Sequence, residues 1–158
     1  MPLQDLTADA RDLHLRWALA PGPATVWEHL VARERLPEWL GTPLEGPSHT
    51  PGTLVIDHGD GTLCTSTLLE VDPGEGLAMT WQFPEEPETR LEVHLHARAG
   101  TTGTVLELVH RGLGELTDSY GPGWTTRLTF FEASLEGSPL PLDQFWNLWS
   151  TVNGLGAR

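Results

Sequence analysis

Seven histidines and one cysteine are the side chains of this sequence best suited to proton transfer or metal binding near neutral pH. His110 ends the run Leu106-Glu107-Leu108-Val109-His110, and period-2 alternation puts it on the face of Leu106 and Leu108. There an imidazole could hydrogen-bond a ligand carbonyl or serve as acid or base. No carboxylate on the inward phase orients it, so a core histidine satisfied by a backbone or tryptophan partner is the competing reading. His94 and His96 could offer two nitrogens to a metal, but they alternate with Val93 and Leu95 and so fall on the opposite, solvated face. No third ligand is evident near them, and no metal is expected. His58-Gly59-Asp60 belongs to a hairpin turn. Cys64 lies in an alternating apolar run and reads as a buried, inert thiol; alone, it forms neither an intrachain disulfide nor a metal framework. All nine basic residues are arginines, which excludes Schiff-base chemistry by lysine. The serines show no nucleophile elbow, and no glycine loop cradles phosphate. No catalytic residue is assigned and no cofactor is expected.

Such groups need a scaffold, and the composition supplies one. A chain of 158 residues suits one domain and buries about 70% of its unfolded surface. With 39% hydrophobic and 20% charged residues, it has an ordinary globular balance. No apolar run approaches the ~20 residues that span a bilayer. The first dozen residues carry acids rather than a basic signal region, so the expected location is cytoplasmic. A formal net charge of −13 repels phosphate backbones and anionic lipids, which argues against nucleic-acid and membrane partners.

The elements follow from periodicity. Leu13, Leu15, Trp17 and Leu19 alternate with polar or small residues and predict a strand, stopped at Pro21-Gly22-Pro23. Pro23 suits a first helical turn, and Val26, Trp27, Leu30 and Val31 form a helical stripe. A second short helix is expected around Glu34 to Leu40, ended by Gly41. From Gly52 to Arg111 the pattern is β throughout. Strands at Leu54 to Asp57 and Leu63 to Val71 flank the hairpin turn Gly59-Asp60-Gly61. Three more follow at Leu77 to Phe83, Arg90 to Arg98 and Val105 to His110, with a bulge expected at Leu68-Leu69. One polar face implies an antiparallel sheet wet on one side. Its apolar face requires a cover, and Trp124, Leu128, Phe131 and Leu135 recur at helical spacing to provide it. That helix is expected to start at Gly121-Pro122-Gly123-Trp124, read as a hinge rather than an anion site. The layout is α+β.

Several phrases in this order resemble a known family. They are Thr25-Val26-Trp27-Glu28-His29-Leu30-Val31, Arg35-Leu36-Pro37-Glu38-Trp39-Leu40-Gly41, Leu69-Glu70-Val71-Asp72-Pro73, Leu77-Ala78-Met79-Thr80-Trp81, Leu106 to His110 with Gly112, and Gly121-Pro122-Gly123-Trp124. Together they are similar to the SRPBCC (START-like) superfamily, in the branch named for the C-terminal domain of the activator of heat-shock-protein-90 ATPase. The resemblance covers roughly Leu13 to Gly137. It implies a helix-grip fold, a curved antiparallel sheet wrapped around a long C-terminal helix, with a cavity between the two. It also places Trp39, Trp81 and Trp124 at or near the cavity wall, where aromatic faces suit a greasy or flat ligand, although each could equally be plain core.

The expected ligand-binding set is therefore Trp39, Trp81, His110, Trp124, Leu128 and Phe131. The leading function is binding of a small hydrophobic molecule. A cyclase- or hydratase-like enzyme using His110 is the alternative, and a chaperone-interaction module, resting on the family name, is a third reading. Residues 1–137 form the expected domain and 138–158 an extension. In the extension Pro139 and Pro141 break the chain, Asp143 looks like an N-cap, and Leu142, Phe145, Trp146, Trp149 and Val152 form an apolar stripe. A short helix of this kind is not stable alone in water. It should pack on the domain, close the pocket mouth or cover a second copy in a homodimer, with packing or dimerisation favoured over a lid.

Overall fold

The structure, a computed structural model, describes residues 3–8, 11–45, 52–58 and 63–156. Eight antiparallel strands form one sheet in the order β1-β2-β8-β7-β6-β5-β4-β3. They are β1 (Leu3–Ala8), β2 (Leu13–Leu19), β3 (Thr42–Glu45), β4 (Gly52–Asp57), β5 (Leu63–Asp72), β6 (Gly76–Trp81), β7 (Thr89–Ala97) and β8 (Thr104–Arg111). Helix α1 (Pro23–Val31) and a 3-10 segment (Arg33–Glu38) link β2 to β3, and the long α2 (Thr117–Leu135) follows β8. A further helix, α3 (Phe145–Gly156), comes after it. This is the helix-grip arrangement. Among the described residues no helix is long and apolar enough to cross a membrane.

Alternation along the strands becomes layers across the sheet. Leu15, Leu108, Val93 and Leu77 stand in one row, and Leu13, His110, Leu91, Met79 and Leu68 in the next. Both rows face α1 and α2, and nearly all of these side chains are buried. His94 and His96 lie on the outer face, beside Glu92 and Glu107. The expected bulge is present: register shifts between Leu68 and Glu70, leaving Leu69 as the extra residue of β5. β4 and β5 pair as a hairpin with Asp57 opposite Leu63; the turn Gly59-Asp60-Gly61 itself lies outside the described residues.

Gly41 ends the 3-10 segment, its N–H reaching Leu36 O at 2.9 Å. It must be glycine because a Cβ there would stand 2.5 Å from the Asp57 carbonyl oxygen. Ser134 ties three elements together, since His29 Nε2 meets its Oγ at 2.6 Å and the hydroxyl donates to Glu38 Oε1 at 2.6 Å.

Two expectations need correction. The grip helix does not start at Gly121. A 3-10 turn at Gly114–Leu116 runs straight into α2 at Thr117, so Pro122 sits inside the helix. Pro122 removes the donor for the Asp118 carbonyl, but Asp118 is exposed and water can serve it. Downstream, Thr125 and Thr126 return their hydroxyls to the carbonyls of Gly121 and Pro122. Strands β1 and β3 were also not expected. The helix ends in a Schellman pattern at Gly137 (φ +86), with Ser138 N–H bound to Ala133 O and Gly137 N–H to Ser134 O.

The extension is helical, as its stripe implies, and packs on α2. Phe145 is buried against Phe130, ring centroids 5.8 Å apart, while Trp146 remains 61% exposed. Asp143 falls in the preceding 3-10 turn (Leu142–Gln144), where its carboxylate meets Gln144 Nε2 at 3.5 Å.

Candidate functional site

A cavity of about 410 Å³ lies between the sheet, α1 with its 3-10 segment, and the middle of α2. That volume falls within the ~300–1,000 Å³ usual for small-molecule sites. The floor comes from inward positions of β4 to β8, including Leu54, Leu77, Met79, Val93 and Leu108. Trp27, Leu30 and Leu36 form one wall, and Trp124 with Leu128 another. Of the described residues that line it only Arg33 is charged. The lining side chains that solvent reaches most are Val31, Arg33, Val71 and Pro73, which places the mouth between the end of α1 and the β5–β6 turn.

Of the six residues expected to bind ligand, Trp39, Trp81, Trp124 and Leu128 line this cavity. Trp39 carries the one orphaned donor in the wall. Its Nε1–H is buried without a hydrogen-bond partner among the described residues, an arrangement that costs about 1–3 kcal/mol. Phe131 is fully buried behind it, edge-on to Trp39 at 5.0 Å, and supports the wall rather than forming it.

His110 is likewise behind the wall. Trp124 Nε1–H donates to its Nδ1 at 3.0 Å, and its Nε2 meets Thr89 Oγ1 at 2.7 Å. The Thr89 hydroxyl donates onward to Trp81 O at 3.0 Å, so Nε2 must carry the proton. Burial pushes the imidazole down to about 3, and it is neutral at physiological pH. A second proton would set Nδ1–H against the indole N–H. The structure thus shows a core histidine satisfied by a tryptophan, with no acid in reach of it among the hydrogen bonds of the described residues. Cys64 is also buried, its thiol raised to about 11 by burial. Among the described residues no group of three or more His, Cys, Asp or Glu could hold a metal.

The family model described as "Activator of Hsp90 ATPase homolog 1-like protein" matches residues 21–136. The chain belongs to this family. It is therefore a START-like protein of the SRPBCC superfamily, whose fold commonly encloses hydrophobic ligands. Among solved structures it is similar to CalU16 from Micromonospora echinospora, with TM-score 0.79 and 19% identity over 99% of this chain and 97% of that one. It also resembles DynU16, a protein in the dynemicin biosynthetic locus, with TM-score 0.74 and 23% identity over 84% of this chain and 49% of DynU16. A third neighbour is MLL2253 from Mesorhizobium loti, with TM-score 0.72 and 20% identity over 82% and 100% of the two chains. At these identities the likeness is one of fold. No curated protein matches the sequence significantly.

The family match stops at residue 136, and α3 lies beyond it. This Hsp90-activator-like domain therefore carries a helix on its grip helix that the family pattern does not cover. Between them the two helices hold Arg127, which sequence reasoning passed over. Its signal was present, because Arg127 stands three residues after Trp124 and four before Phe131, on the buried stripe itself. His58, beside the β4–β5 turn, is packed edge-on against Trp81 and Phe83.

Proposed function

We propose that this protein binds a small hydrophobic molecule in the cavity under α1 and α2. The observation that carries the reading is a 410 Å³ space lined almost wholly by apolar side chains, with Trp39, whose Nε1–H has no partner among the described residues, in its wall. An apolar lining favours an apolar ligand by about 25 cal/mol per Å² removed from water. The orphaned indole N–H favours one that carries a carbonyl or ether oxygen. The neighbour found in a biosynthetic locus suits a role in holding a biosynthetic intermediate, and the apolar mouth residues Val31 and Val71 suit its delivery.

Binding is preferred to catalysis on one specific ground. The acid–base role considered for His110 needs a free nitrogen at the cavity, and both of its nitrogens are engaged behind the wall. The chaperone reading has only the family name in its support.

The test is a fluorescence titration with 1-anilinonaphthalene-8-sulfonate displaced by neutral hydrophobic ketones. Saturable displacement is expected from the intact protein, and Leu77→Trp, which fills the cavity from β6, should abolish it while preserving a cooperative urea transition. Equal displacement in both proteins would contradict the assignment. Trp39→Phe removes the donor and should weaken ketone binding about fivefold, in keeping with a neutral hydrogen bond of ~1 kcal/mol, while sparing the matching hydrocarbon.

A further inference from the structure

A second chamber of about 370 Å³ lies on the other side of the Trp81–Trp124 pair, whose ring centroids are 5.1 Å apart. Three segments build it: the first half of α2, the α3 face carrying Phe145, Trp146 and Trp149, and the chain around Trp81 to Glu86 with His58. The main cavity's charged residue, Arg33, stands at its mouth, whereas here Arg127 and His58 are part of the wall.

Arg127 is the centre of the chamber's polarity. A guanidinium has five N–H donors, yet its one hydrogen bond among the described residues runs from Nη1 to Leu40 O at 2.9 Å. No carboxylate lies within ion-pair distance of it among the described residues. The Phe145 ring sits 4.5 Å from Cζ and contributes a cation–π contact. Burial lowers the group to about 10, so it remains a cation at neutral pH. Arg127 is half-buried, and a partly desolvated guanidinium with no anion beside it among the described residues leaves N–H donors open to a bound carboxylate. His58 adds to them. Both of its ring nitrogens are buried with no partner among the described residues. Burial and the charge of Arg127 hold it neutral, with one N–H to donate. Among the described residues Glu86 is the one carboxylate lining the chamber, and it already accepts the Tyr120 hydroxyl at 2.6 Å.

We propose that this chamber is a second binding site, for a small planar aromatic carboxylate whose anion is held by Arg127 and His58 and whose ring lies among Trp81, Trp124, Trp146 and Trp149. A carboxylate matches the fork of a guanidinium and supplies the missing counter-charge. Flat aromatic walls select a flat ring. The site is independent of the hydrophobic cavity reading, and its outer wall is the α3 helix, which gives the extension a role.

Isothermal titration calorimetry of the full chain with naphthalene-2-carboxylate, and with its neutral isostere 2-naphthamide, tests this directly. One equivalent of the acid should bind, and the amide at least about tenfold more weakly, as expected for loss of a charge-assisted hydrogen bond. Arg127→Met should reduce binding of the acid by a similar factor. Should that variant lose its cooperative urea transition, Trp146→Ala provides the second arm, because a side chain 61% exposed can be truncated without unfolding the protein. It should weaken the acid severalfold at an unchanged urea midpoint. Filling the main cavity with Leu77→Trp should leave binding of the acid intact. Equal affinities for acid and amide, no binding at millimolar concentration, full binding by both Arg127→Met and Trp146→Ala, or loss of the acid in Leu77→Trp would each overturn the proposal.

Discussion

At the residue scale, the bond pattern around His110 settles a question that alternation alone leaves open. Position in the strand places it on the inward face, and the structure shows that its neighbours there are Trp124 and Thr89 rather than ligand space. The pH dependence follows. The folded-state value is depressed to about 3 from the ordinary 6.5, so the unfolded chain binds the proton more readily between those values. Stability is complete above pH ~6.5 and falls as pH drops towards 3, by roughly 1.4 kcal/mol per pH unit for this one group. His110→Gln keeps a donor and an acceptor without a titrating group. Urea unfolding of this variant between pH 4 and 6 should show a slope shallower by one proton; an unchanged slope would mean His110 is not buried neutral. Arg127 teaches the converse. Its place on the helical stripe was readable, but its meaning was not. Whether a charge on a buried face snorkels to water or stays inside depends on what covers it, and here the cover is Phe145, eighteen residues along the chain.

At the element scale, strands were legible where alternation is strong and both ends are punctuated. Leu13–Leu19 and Thr89–Ala97 are of this kind. Leu3–Ala8 was not legible, because an edge strand with one neighbour buries little and Leu3-Gln4-Asp5-Leu6-Thr7-Ala8 does not alternate. Thr42–Glu45 is four residues with a proline, and only its pairing with β4 makes it a strand. The start of α2 was misplaced for a local reason: two glycines and a proline read as a break, while burial of Thr117, Gly121 and Trp124 carries the helix through them. The helix should nonetheless depend on Trp124, which is buried and bonded to His110. Trp124→Ala should cost about 3–5 kcal/mol in urea unfolding; a loss below ~1 kcal/mol would mean that α2 does not grip the sheet. Removing the residues after Gly137 uncovers Phe130 and Arg127. The lost burial of Phe145, about 2 kcal/mol, should lower Tm by about 4–8 °C. An unchanged Tm would show that α3 contributes nothing to the domain, and a fall in mass by size-exclusion on the same deletion would reveal the homodimer considered for this extension.

At the scale of the whole molecule, the sheet and two helices divide one interior into two chambers separated by Trp81 and Trp124. The fold was legible because short phrases along the chain occur in the order of a family pattern, and four of the six expected binding residues line the main cavity. The second chamber was not legible, since it is made by His58 just after β4, by β6 and the loop that follows it, and by α2 and α3, which no local pattern joins. Both chambers are accounted for by the same logic, in which an interior space is read from the polar groups it leaves unpaired. The central claim concerns the larger one, that it holds a hydrophobic molecule. Native mass spectrometry of the protein purified from its own host measures this most directly, with Leu77→Trp prepared alongside. The account predicts a bound mass of a few hundred daltons on the unaltered protein that is absent from the filled variant. The same adduct on both proteins, or the bare chain mass from the unaltered protein under conditions that preserve its fold, would contradict it.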